Sequence, residues 1–415
     1  MLNQLWQSLA LYRGLPGNIY IIAVARFILG LGNFIIPFLL LLLTEKLDYS
    51  ATLAGTLAMG LMALFVFGGL CGGKLSDSLG HKKIMVWGEL AGAVILIACG
   101  FYSDDAQLVP LFLFVAYFFF GVALPASNAL VADLSTPTNR DAVMSLSYLA
   151  FNLGSAAGPL VAGYLFWNFT AWIFWGNGIA ALVGIALVMF FIRTDERDGV
   201  SEGEAHSALE QAVEGSVWQV LKQRPRLLVF TGLCALLWVA LNQMTMTSPL
   251  YLNHIFGIDG PVLFGQLMTY ACILVVVITP LLMRLTSNQA EIVSLAYAGM
   301  MFAAGYALVM VLPTIPIHFF AWFFLSAAEV LLVTKEGVYL ANHSPKSHRG
   351  RIQGVLTTMK NLIVLPSFTL MGLMIDHWGF ENSWLVVIGV SVGAATCLAG
   401  MVQYQNRTGV LAQTT

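Results

Sequence analysis

Apolar runs of about 20 residues or more recur along this chain, separated by short charged or Pro- and Gly-containing breaks. The pattern predicts twelve helical spans, starting near Ile19, Ala51, Ile84, Leu108, Val143, Phe169, Leu227, Val262, Ile292, Ile317, Ile352 and Ser383. Each is long enough to cross a hydrocarbon core about 30 Å thick, and no short alternating strand pattern competes with them, so the reading is a bundle of helices and not a barrel. The only long polar stretch, Arg193 to Arg226, falls between the sixth and seventh spans. Inside it, Ser207 followed by Glu210 reads as a capping box, and Leu209, Val213, Val217 and Leu221 form an i, i+4 stripe, which predicts an amphipathic surface helix.

The expected architecture is therefore an all-α membrane protein of twelve transmembrane helices in two pseudo-symmetric six-helix bundles, 1–193 and 227–415, joined by a cytoplasmic linker, 194–226. The halves echo each other: Pro37 in the first span recurs as Pro249 in the seventh, and Gly55 in the second recurs as Gly265 in the eighth. Such repeats place a solute site between the halves near the midplane. Composition agrees, because a chain that is 59% hydrophobic and 10% charged cannot hide its apolar surface in a water-soluble core. The first run is too long for a signal-peptide core and has no small-residue cleavage site after it, so it reads as part of the mature chain.

Basic residues set the orientation, because cytoplasmic loops retain Lys and Arg. Placing the N-terminus inside puts all but four of the 19 Lys and Arg residues in the cytoplasm. Lys46 falls in an outer loop, and Arg26, Lys335 and Lys360 lie within apolar spans. The expected setting is the cytoplasmic (inner) membrane of a bacterium, with both termini cytoplasmic.

Two motifs carry the functional reading. Between the second and third spans the chain reads Gly73-Lys74-Leu75-Ser76-Asp77-Ser78-Leu79-Gly80-His81-Lys82-Lys83, with glycines for a tight turn, an acid able to face a helix N-terminus and lysines that hold the loop inside. In the fifth span, Gly154-Ser155-Ala156-Ala157-Gly158-Pro159-Leu160-Val161-Ala162-Gly163 is a stripe of small residues with a helix-bending proline, a surface that another helix can approach closely. The first segment resembles the loop signature G-x-L-x-D-x-x-G-x-K-K of the major facilitator superfamily. Ser78 and His81 stand where that family usually has arginine. The resemblance implies a conformational latch made of Gly73, Asp77, Gly80, Lys82, Lys83 and, closing the fourth span, Asp133. The small-residue stripe resembles the G-x-x-x-G-P-x-x-x-G signature of the antiporter branches, on Gly154, Gly158, Pro159 and Gly163. Pro125 to Asp133 resembles the drug exporters of the superfamily. Tyr117 occupies the place of an intramembrane arginine common in the fourth helix, with Gly121 present after it, so proton coupling by that route is not implied.

Charges inside a membrane are costly, and their default reading is functional. Glu329 lies about twelve residues into the tenth span, roughly 18 Å deep at 1.5 Å per residue, near the midplane. It is the leading proton-coupling candidate, since an acid at this place in the tenth helix resembles that of several multidrug antiporters. The competing reading is a salt bridge to Lys360, at similar depth in the eleventh span. Arg26 is a further coupling candidate, though it is shallow enough to snorkel. Glu89 is similarly shallow, and Lys335 with Glu336 could form a gate or a stabilising pair. The resemblance makes the first, fourth, seventh and tenth helices line the cavity, so Asn33, Tyr117, Asn242, Gln243 and Trp322 are substrate-cavity candidates. Each lone amide can instead satisfy a neighbouring helix.

Enzymatic and ATP-driven readings fail. Gly68 to Lys74 mimics a phosphate-binding loop, but Leu75 replaces the required Ser or Thr and no strand precedes it. No pair of histidines has metal-ligand spacing, and the five cysteines lie in or at the ends of apolar runs, so no metal and no cofactor is expected. The expected partners are a small-molecule substrate, protons and membrane lipids, with no nucleic acid, and the chain is expected to act as a monomer. The function expected is proton-coupled export of lipophilic or cationic compounds by alternating access. The alternatives are a proton-coupled symporter or exporter of one metabolite or lipid, and a membrane sensor or scaffold that does not transport.

Overall fold

The computed structural model describes residues 14–136, 139–192, 225–343 and 349–407, and among these every regular element is helical. The linker positions 193–224, with the surface helix expected there, lie outside the described residues.

Nine stretches are long and apolar enough to cross a membrane, and two of them, Pro225–Leu285 and Gly354–Gln403, each hold two helices in sequence. The first of these breaks at Gly257–Asp259, a 3₁₀ turn, and the second at Gly379, which has φ 76°. The fifth span, Arg140–Leu165, is a 26-residue helix outside that set of nine, because its small and polar residues dilute its apolar character. Together these are the twelve crossings that the apolar pattern predicts.

One departure from the pattern lies in the first span. It is not a single helix but two pieces, Gly17–Leu31 and Ile35–Glu45. Asn33 N–H donates to the Gly30 carbonyl and Phe34 N–H to that of Gly32, which closes a tight turn between them. Pro37 then falls in the first turn of the second piece, where a missing N–H leaves no intrahelical bond unmade.

Two compact units emerge from the packing. One takes the described residues of 14–49, 57–192 and 252–272, and the other those of 50–56, 225–251 and 273–407. Within the first, the Gly17–Leu31 piece packs on the fifth span and on Thr170–Phe191, while His81–Gly100 packs on Leu108–Asp133 and Thr170–Phe191. Ile22, Ala25, Met85, Ala126, Leu130 and Val188 fill the space between them. Within the second unit, Glu291–Val311 packs on Ile315–His343 and on the Arg349–Arg407 helix, with Gly299 letting Ser391 and Ala395 come close.

Each unit also contains a crossing whose counterpart recurs in the other. In the second unit, a Cβ placed on Gly55 would lie 2.2 Å from the Phe368 carbonyl oxygen, and one on Gly372 would lie 2.1 Å from that of Ala51. In the first unit, a Cβ on Gly265 would lie 2.5 Å from the Pro159 carbonyl oxygen, and one on Gly163 would lie 2.5 Å from that of Pro261. Gly55 and Gly265 are 210 positions apart, as are Ala51 and Pro261, and Gly163 and Gly372 are 209 apart, as are Pro159 and Phe368. The two crossings are thus the same contact written twice, each between a helix of one repeat and a helix of the other, and only glycine permits it.

Candidate functional site

On the tenth span, Ile315–His343, Glu329 is half-buried, and among the described residues it forms neither an ion pair nor a hydrogen bond. Tyr306, one helix earlier, lies within its electrostatic reach, and the Tyr306 hydroxyl donates to the Ala240 carbonyl at 2.6 Å. Ser326, one turn before Glu329, has a buried hydroxyl with no partner.

Lys360 does not pair with Glu329. Its ammonium lies 3.1 Å from one Glu336 oxygen and 3.4 Å from the other, and 4.2 Å from the centre of the Trp238 ring. The Trp238 indole N–H donates to Glu336 at 2.5 Å, so the carboxylate is held from two sides. The side chains are 16% and 8% exposed for Lys360 and Glu336, which makes this a desolvated pair. The expected pairing of Lys335 with Glu336 is not formed either: Lys335 is buried and donates to the Thr286 carbonyl at 3.0 Å. That bond places a cation at the C-terminal end of the eighth span, Gly260–Leu285, where helix carbonyls lack intrahelical partners.

In the other unit, Arg26 donates through Nη2 to Asn128 Oδ1 at 2.8 Å. Glu89 acts on Arg26 through space, but the two do not form an ion pair. Asn128 lies in the Pro125 to Asp133 segment, and nothing in the sequence marks it as a partner of Arg26, since a lone amide carries no pairing signal.

The cavity candidates separate by burial. Gln243 is 1% exposed and is bonded within its own helix, donating to Val239 and accepting from Thr247. Asn242 donates to the Trp238 carbonyl at 2.7 Å. Trp322 is 1% exposed, packed inside the second unit. Tyr117 is buried with its ring edge-on to Phe120. Asn33 sits at the turn that breaks the first span.

The loop signature is mostly helix. The second span runs on to Leu79 and the third begins at His81, so Gly80 alone makes the turn, at φ 96°, a conformation that favours glycine. His81 bonds Asp133 at 2.5 Å and lies 3.8 Å from Asp77, so the histidine stands between the acid of the loop and the acid that closes the fourth span. Lys82 donates to the carbonyls of Met189 and Ile192 and thereby caps the sixth helix. Gly73 has open space where a side chain would stand.

The small-residue stripe of the fifth span has two working faces. A Cβ on Gly154 would lie 2.0 Å from the Phe27 carbonyl oxygen and one on Gly158 would lie 2.8 Å from that of Leu31, so these glycines seat the first span. Gly163 and Pro159 face the eighth span, where Thr269 also donates to the Ala156 carbonyl at 2.6 Å. Among the described residues no group of His, Cys, Asp and Glu is arranged to hold a metal ion.

The family model described as Major Facilitator Superfamily matches residues 22–365. The chain is 25% identical to an MFS-type transporter, YttB, of Bacillus subtilis over 91% of this chain and 94% of that protein. It is 22% identical to a Na(+), Li(+), K(+)/H(+) antiporter of Planococcus maritimus over 76% of this chain and 80% of that one. The crystal structure of the nucleoside transporter NupG superposes with a TM-score of 0.76 at 13% identity, covering 93% of this chain and 98% of that one. That last likeness shows the fold alone.

Proposed function

We propose that this chain, which belongs to the Major Facilitator Superfamily and is an integral membrane protein of the transporter type, exports lipophilic or cationic small molecules in exchange for protons by alternating access. The observation that carries the reading is Glu329. It is a partly accessible acid on a membrane span with no fixed partner, whereas Glu336, further along the same helix, is fully engaged by Lys360 and Trp238. A carboxyl group left unpaired at that depth is free to trade a proton for a positive or apolar ligand. The stripe Gly154 to Gly163 and the relative named as a cation/proton antiporter support exchange over co-transport. In this reading the protein acts as a monomer in a bacterial cytoplasmic membrane, with both termini inside.

Energised inside-out vesicles containing the protein test it. Adding a lipophilic cation should alkalinise the lumen, and Glu329→Gln should abolish that response while the protein still assembles and binds the cation. Proton exchange that survives in Glu329→Gln removes the residue from the mechanism. The absence of flux for a broad panel in reconstituted liposomes would favour a sensor or scaffold instead.

A further inference from the structure

A space of about 220 Å³ opens beside Arg26 in the first unit, with Asn128, Met144, Ser147, Tyr148 and Phe151 among its lining residues. Its chemistry is unlike that of Glu329. Arg26 carries five N–H donors, and the single bond it makes among the described residues is the one from Nη2 to Asn128. Its Nε–H is buried with no partner. Glu89 is the acid within electrostatic reach, and it does not come to ion-pair distance. A half-buried guanidinium with most of its donors unmatched among the described residues is held short of its hydrogen-bonding capacity, and an acceptor arriving from the cavity completes it. The opposite wall is apolar: Tyr148 is 66% exposed, and Met144 and Phe151 are exposed beside it, on one face of the fifth span.

From this juxtaposition we propose that the cavity is a subsite for the carboxylate of a lipophilic acid, with the anionic head on Arg26 and the apolar body against Met144, Tyr148 and Phe151. The planar fork of arginine matches a carboxylate through two parallel N–H donors, and a lysine there would offer only a point charge. Asn128 is a positioning residue, holding the guanidinium by one nitrogen so that the rest of its edge faces the cavity. The inference rests on the exporter reading and narrows its lipophilic solutes to acids.

The test uses the full chain in phosphatidylcholine nanodiscs with radiolabelled 4-phenylbutyrate as the probe and 4-phenylbutanol and 4-phenylbutylamine as competitors of matched body. The acid should bind saturably, and at least about tenfold more tightly than either competitor, as expected of a charge-assisted pair. Arg26→Gln should bring the acid to the level of the alcohol, and Arg26→Lys should restore part of the difference. If Arg26→Gln does not fold, Asn128→Leu serves in its place and should weaken acid binding more than alcohol binding, narrowing the preference for the acid. No saturable acid binding, an amine that binds as well as the acid, or an acid preference untouched in these variants overturns the proposal. Including phosphatidylglycerol in the discs separates a solute from a lipid head group: acid affinity that persists supports the subsite, and complete displacement by the lipid overturns it. Acid binding retained in Glu329→Gln supports the subsite even where proton exchange fails, so the two readings fail separately.

Discussion

Asp376 caps the second span through Thr52. One carboxylate oxygen accepts from the Thr52 N–H at 2.7 Å and from its hydroxyl at 2.6 Å, and the other accepts from the Ala51 N–H at 3.1 Å. Ser50 accepts from the Leu53 N–H, so three of the free donors at that helix end are satisfied, two of them by a residue more than 300 positions away. The charge adds to the dipole at the helix N-terminus. In the matching crossing of the first unit, position 167 is a tryptophan, whose indole N–H donates to the Ile258 carbonyl at 2.9 Å. One crossing is clasped by a carboxylate and the other by an indole.

Asp376→Ala should therefore destabilise the protein by about 1 kcal/mol, the usual size of a lost helix cap. Asp376→Asn should lose less, because its amide oxygen still accepts one of the N–H groups. Thermal unfolding of the purified variants checks the order, and an Asp376→Ala variant as stable as the parent would show that the caps contribute nothing.

The duplicated glycine crossings make a paired prediction. Gly55→Ala and Gly265→Ala each drive a methyl group into a backbone carbonyl, and each should cost about 1–3 kcal/mol as overpacking does. Gly73→Ala, in open space within a helix, should not destabilise and should gain up to about 1 kcal/mol. Melting temperatures of the three variants decide it, and a tolerated Gly55→Ala beside a damaging Gly265→Ala would mean that the repeats are not equivalent in packing.

Lys360→Met leaves Glu336 buried with only the Trp238 indole for a partner. Removing one member of such a pair costs about 3–5 kcal/mol, whereas replacing both is close to neutral. The double variant Lys360→Met, Glu336→Gln should thus recover most of the loss in a denaturation assay. A double variant as unstable as the single one would assign Lys360 a role beyond that pair. Proton exchange through Glu329 should survive in the double variant, since the two acids share no contact.

The choice Lys360 makes shows where sequence reasoning stops. Glu329 and Glu336 lie seven residues apart, about two turns and roughly 10.5 Å along one helix face, so either acid could meet a lysine from the antiparallel neighbour. Depth counted from the start of a span carries an error of a turn, which is enough to blur the difference between the two partners. Trp238, from a distant span, settles the matter by supplying both a ring face and an N–H. Likewise, Lys335 turns away to cap the helix ending at Thr286, because unpaired carbonyls there are a better partner than a neighbour on its own helix.

Hydrophobic run length alone determined the twelve crossings, and the spacing of Gly, Pro and small residues determined the turn at Gly80 and the close-packed fifth span. These are local consequences of a solvent that forbids unsatisfied backbone and of side-chain size. Only the tertiary structure decided which charges meet, that Gln243 and Trp322 are engaged in packing, that the first span breaks at Asn33, and that Arg26 faces a cavity with most of its donors unmatched. Each of these depends on the rotation and axial register of helices distant in sequence, and those are set by packing between surfaces that no single span encodes.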